Sequence, residues 1–120
     1  MRKGREIPLI GIVGVCASGK TTLIANLSRL GYCCRHIAQE HSYVSNMWEQ
    51  LTDPDILIYL EASYSKTIER RNLKWTPTEY QEQLNMLMHA KAHADIVINT
   101  DAMNPQEVLE NVVSKLTNLL

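Results

Sequence analysis

Strong charge of either sign is missing from this chain. Twelve basic residues stand against thirteen acidic ones, for a formal net charge of −1, so the basic footprint of a nucleic-acid-binding domain is absent. Cysteine is scarce: of the three present, Cys33 and Cys34 are adjacent, and an odd number cannot all pair internally. A disulfide framework is thereby disfavoured and a reducing, cytoplasmic setting expected. No apolar run approaches the ~20 residues that a membrane-spanning helix needs. The stretch over residues 7–17 is interrupted by Pro8, Gly11 and Gly14. Arg2, Lys3 and Arg5 in front of it give the outline of a signal peptide, but Ser18-Gly19-Lys20-Thr21 occupies the place of a cleavage region. Repeats, low-complexity segments and linkers are also absent, so residues 1–120 read as one domain. With 45% hydrophobic and 21% charged residues, the composition suits a globule with a core of its own.

What is present alternates between strand and helix patterns. Residues 7–13 are apolar and rich in β-branched side chains, as in a strand buried on both faces. A glycine-rich turn leads into a helix over 20–30 with Leu23, Ile24, Leu27 and Leu30 on one face, stopped by Gly31. Residues 32–38 read as a second strand, 55–61 as a third and 95–99 as a fourth. Thr76-Pro77-Thr78-Glu79 and Asn104-Pro105-Gln106-Glu107 each combine a capping box with proline at the first helical position. The first opens a helix burying Tyr80, Leu84, Leu87 and Met88; the second opens the terminal helix. Strands separated by helices predict right-handed crossovers, hence an α/β fold in three layers with a mainly parallel four-stranded sheet and helices on both faces. The predicted order across the sheet is 32–38, 7–13, 55–61, 95–99.

The segment Gly14-Val15-Cys16-Ala17-Ser18-Gly19-Lys20-Thr21 matches G-x-x-x-x-G-K-[ST] at every specified position. Its chemistry is that of a phosphate cradle. Glycines let the backbone turn so that N–H groups of residues 15–21 point inward, and the helix dipole adds positive potential. Lys20, exposed in an empty cradle, reaches the β- and γ-phosphates, while the Thr21 hydroxyl joins the magnesium shell and Thr22 follows in the same first turn. A nucleoside triphosphate is the expected ligand.

Strand, cradle and helix together resemble the P-loop NTPases, and the second half is similar to the small-molecule kinases among them. There the strand at 55–62 is followed by a basic helix, here 66–74, and the strand at 94–101 leads to a helix opened by proline, here Pro105. The resemblance implies Mg-ATP as cofactor and phosphoryl transfer to a small molecule. It places the adenine between Arg70 or Arg71 and the loop Asp101-Ala102-Met103-Asn104-Pro105. Kinases of this group carry an additional strand and helix for the acceptor, whereas only residues 32–38 lie between the cradle helix and the next strand here. Two other readings therefore stay open: a nucleotide-binding or slowly hydrolysing regulatory module without an acceptor, and a homo-oligomer whose neighbour completes the site.

Other residues are weighed by position. Glu40 follows the second strand at its carboxyl end, where parallel sheets place ligand groups, and can hold magnesium or act as base on an acceptor hydroxyl. Glu61 is the alternative metal carboxylate, and Asp55 lies at the wrong edge. His41, Ser42 and Tyr43 share the Glu40 loop and are candidate acceptor contacts. Arg70 and Arg71 can neutralise transferring phosphate or stack on a base. His89 and His93 stand i, i+4 but lack the glutamate of H-E-x-x-H and a third ligand; Cys33, Cys34 and His36 alternate faces along one strand. Trp48 and Trp75 lie outside the strands. No Asn-Lys-x-Asp guanine signature occurs, so ATP is expected over GTP.

Overall fold

A computed structural model describes residues 6–72 and 74–120. Along the chain run β1 (Leu9–Gly14), α1 (Lys20–Arg29), β2 (Cys33–His36), a 3-10 turn (Gln39–His41), α2 (Met47–Leu51), β3 (Ile56–Glu61), α3 (Tyr64–Arg71), α4 (Pro77–His93), β4 (Ile96–Asn99) and α5 (Pro105–Leu119). The four strands make one all-parallel sheet in the order β2-β1-β3-β4, the order the crossover rule predicts. The glycine-rich segment thus leaves an interior strand.

Successive strand residues face opposite sides of the sheet. Ile10, Ile12, Ile56, Ile58, Leu60, Ile96 and Ile98 pack with Leu23 and Leu27 of α1 and with Val108, Val112 and Leu116 of α5. Val13, Leu57 and Tyr59 meet Trp48 of α2 and Leu87 and Ala90 of α4 in a second cluster. Because both faces are covered, β1 and β3 are apolar at nearly every position instead of alternating. Each buried aliphatic side chain contributes roughly 1.5–3 kcal/mol, which makes these two clusters the main stabilising term.

At the amino edge two aspartates extend the ladders. Leu9 N–H donates to Asp55 Oδ2 at 2.8 Å, and Leu57 N–H donates to Asp95 Oδ2 at 2.8 Å. Asp55 is therefore a strand-pairing residue, far from the carboxyl edge where ligands sit. The capping boxes of α4 (Thr76, Glu79) and α5 (Asn104, Glu107) both form, with proline in the first turn.

Three expected core positions move to the surface. Ile7 is 63% exposed, because β1 begins only at Leu9, after Pro8, which has no N–H for the ladder. Leu30 is exposed because α1 ends at Arg29 and Leu30 is already its cap. Met88 is exposed because the buried stripe of α4 is Gln83, Leu87 and Ala90, spaced i, i+4, i+7. The second strand is also shorter than expected, Cys33–His36, and mostly exposed along this sheet edge. Among the described residues no helix is long and apolar enough to cross a membrane.

Candidate functional site

β1 ends in Gly14, where a Cβ would lie 2.4 Å from the Leu60 carbonyl oxygen and 2.8 Å from Ser18 Oγ. Only glycine lets the turn press this closely against β3. Gly19 closes the turn with φ 104°, a left-handed conformation that L side chains resist. The chain then enters α1 at the carboxyl edge of the sheet. The first-turn N–H groups of Lys20, Thr21 and Thr22 have no intrahelical acceptor. No side chain caps them, and the first turn holds no acid. The helices α3, α4 and α5 are all capped by side chains.

The inward-facing amide set is narrower than residues 15–21. Ser18 N–H donates to Val15 O at 3.2 Å and Cys16 N–H to Gln83 Oε1 at 3.0 Å, so both are spent inside the protein. Gly14 and Val15 shape the loop from beneath: both are buried, and Val15 belongs to the core cluster around Trp48.

Lys20 departs from the exposed cation that the sequence suggests: it is buried, at 7% exposure. Its ammonium donates to Glu40 Oε2 at 2.7 Å, to Val15 O at 3.1 Å and to Gly14 O at 2.5 Å. Glu40 is 3% exposed, and its Oε1 finds no hydrogen-bond partner among the described residues; Ser18 Oγ is in the same state. The 3-10 turn after β2 delivers Glu40 to this place, and His36 Nε2 lies 3.8 Å from Glu40 Oε2.

Arg70 ties the cradle to the loop after β4. Its guanidinium donates to Thr100 Oγ1 at 2.8 Å, to the Thr100 carbonyl and to Ala17 O at 3.3 Å. The buried Thr100 hydroxyl donates in turn toward Ser18 O at 3.0 Å and Glu61 O at 3.1 Å. These residues border an open cavity of about 500 Å³, walled by residues 16–23, His36, Glu40, His41, Arg70, Arg71, Thr100, Met103, Pro105 and Val108.

Most sequence candidates converge on this cavity: Cys16, Ala17, Ser18, Gly19, Lys20, Thr21, Thr22, Glu40, His41, Arg70, Arg71 and Pro105 all line it. Others lie elsewhere. Asn104 caps α5, its Oδ1 accepting from Glu107 N–H at 2.8 Å, and does not line the cavity. Glu61, the alternative metal carboxylate, is engaged by Lys91 of α4 in an ion pair and does not line the cavity. His89 Nδ1 accepts from Trp48 Nε1 at 3.1 Å, and His93 stacks on His89 with ring centroids 4.2 Å apart, so Trp48 and this pair form one packing unit. Trp75 packs edge-on against Tyr80, whose hydroxyl donates to Ala62 O at 2.7 Å. Burial, reinforced by neighbouring Cys33, pushes the Cys34 thiol up to about 11.

Two contributors had no motif to announce them. Gln83 reaches the cradle from α4 across 67 positions of sequence; its signal is a polar residue on the stripe of Leu87 and Ala90. Thr100 follows β4 just before the loop 101–105 that the sequence singles out, and Met103 of that loop lines the cavity. No protein-family model matches the chain, and no curated protein matches it.

Proposed function

We propose that the cavity binds Mg-ATP and that the protein transfers its γ-phosphoryl group to a small molecule, on a three-layer fold of the P-loop NTPase kind. One observation carries this reading. The motif residues 14–21 bring an uncapped helix N-terminus and a buried lysine to the wall of a single cavity, where the 3-10 turn after β2 adds the buried carboxylate of Glu40. Anions are favoured at such a helix end, and the lysine adds a full charge within reach.

The residues fit both parts of the cofactor. Glu40 Oε1 is a buried oxygen without a hydrogen-bond partner among the described residues, and together with the Thr21 hydroxyl it supplies hard oxygen ligands of the kind magnesium takes. The free amides of the α1 first turn and Lys20 suit phosphate oxygens. When bound, magnesium neutralises charge on the phosphates and orients them. Lys20 spends its three ammonium donors on Glu40, Val15 O and Gly14 O, so a phosphate oxygen takes the place of one of these partners when it binds. Arg70, anchored on Thr100 and Ala17, keeps the cradle in register with the loop after β4, and Arg71 adds positive charge to the same wall.

Met103, Pro105 and Val108 line the same cavity as the two arginines and offer apolar contacts for a base. Since no guanine-reading signature is present, ATP is preferred to GTP. The test is ATP turnover measured with and without a panel of nucleosides, nucleotides and hydroxylated cofactors. Turnover stimulated by an acceptor supports the kinase reading. Slow hydrolysis indifferent to every acceptor replaces it with a regulatory nucleotide-binding module.

A further inference from the structure

The mouth of the cavity carries a donor set unsuited to phosphate. Cys16 Sγ lies 4.0 Å from His41 Nε2, and one ligand atom each of Cys16, Glu40 and His41 falls within 4.8 Å of the other two. We infer that these three side chains bind a thiophilic divalent cation of the zinc class, with water in the remaining position.

Four features support the assignment. Tetrahedral zinc with sulfur and nitrogen ligands holds them about 3.6 Å apart, so the sulfur and the imidazole need to close by only a few tenths of an ångström. Glu40 keeps Oε2 on Lys20 and has Oε1, 3% exposed as a residue and without a partner, left to offer a cation. Gln83 grips Cys16 twice, accepting from its N–H at 3.0 Å and donating from Nε2 to Sγ at 3.1 Å. A donor aimed at the sulfur stabilises a thiolate ligand and fixes its direction, as outer-shell partners do in metal sites. His41 is likewise placed by its backbone, which donates to Ala38 O at 3.1 Å. Sulfur and imidazole select zinc-like ions over magnesium and calcium, which take oxygen.

The cysteine and the glutamate are also cradle residues. Zinc and Mg-ATP therefore compete for Glu40, a corollary that rests on the proposed function, whereas zinc binding itself does not.

The experiment is a titration of the full chain, without nucleotide, with CoCl2 and then ZnCl2. The expected result is one equivalent of cobalt showing the thiolate-to-cobalt charge-transfer absorption, displaced by zinc. Cys16→Ser should lose this absorption, His41→Ala should shift it, and each should weaken zinc binding by more than the ~10–100-fold that loss of an outer-shell partner costs. A Cys33→Ser/Cys34→Ser variant should keep it. Because His41 is exposed, its variant stays informative even if Cys16→Ser fails to fold. Absence of the absorption in the wild-type chain overturns the inference. So does its survival in Cys16→Ser, an unchanged band and zinc affinity in His41→Ala, or its loss with Cys33 and Cys34. Loss of ATP binding with intact cobalt binding would instead count against the proposed function alone.

Discussion

Lys20 Nζ and Glu40 Oε2 stand 2.7 Å apart, and both side chains are buried. The pair is therefore part of the packed structure. Removing one member of a buried pair leaves an uncompensated charge, at a cost of roughly 3–5 kcal/mol. Lys20→Ala should lose stability of that order in urea unfolding, and Lys20→Ala/Glu40→Gln should regain most of it. A Lys20→Ala variant as stable as the parent would show that the pair carries no structural weight.

The two motif glycines are constrained for different reasons, and their alanine variants should differ accordingly. Gly14→Ala drives a Cβ against the backbone of Leu60, whereas Gly19→Ala meets open space and only an unfavourable φ. The second costs about 1–2 kcal/mol. The first should cost clearly more, seen as the larger drop in melting temperature. The reverse order would contradict the packing of the turn on β3.

Arg70 and Arg71 also separate. Arg70→Ala removes hydrogen bonds to Thr100 and Ala17 and should cost about 1 kcal/mol of stability together with ATP affinity. Arg71→Ala should lower ATP affinity with stability unchanged. Denaturant unfolding paired with competition against a fluorescent ATP analogue checks both, and equal behaviour of the variants would deny Arg70 its bracing role.

Alkaline pH should loosen the fold. The Cys34 thiol is raised from its ordinary 9.0 to about 11 by burial and then by Cys33. The phenols of Tyr59 and Tyr80 are raised as well, each chiefly by burial. In the unfolded chain these groups lose their protons first, so between pH 9 and 11 the folded state binds more protons and stability falls as pH rises. Below pH 9 they contribute no slope. Unfolding midpoints measured across pH 7–11 should show that decline, and it should shrink in Cys34→Ser. At pH 8 a thiol reagent should modify exposed Cys33 well before Cys34.

Sheet order and the place of the cradle were legible because they follow from local signals. A doubly apolar strand, a glycine turn and two proline-bearing capping boxes each determine structure within about ten residues, and crossover handedness does the rest. That Glu40 borders the cavity was legible from its position after β2. The burial of Lys20 was not, since it depends on a carboxylate twenty positions away arriving within 2.7 Å. The hold of Gln83 on Cys16 spans 67 positions and has no motif. A capping side chain and a ligand contact look alike in sequence at Asn104; in the structure its side chain is engaged in the capping box with Glu107.

Calorimetric titration with Mg-ATP tests the central claim most directly, using the wild-type chain beside a Lys20→Ala/Glu40→Gln variant shown to be folded. The account predicts one site per chain in the wild type and affinity weaker by about 100-fold or more in the variant, as loss of a charged phosphate contact requires. No heat of binding in the wild type, or equal affinity in the folded variant, would contradict it.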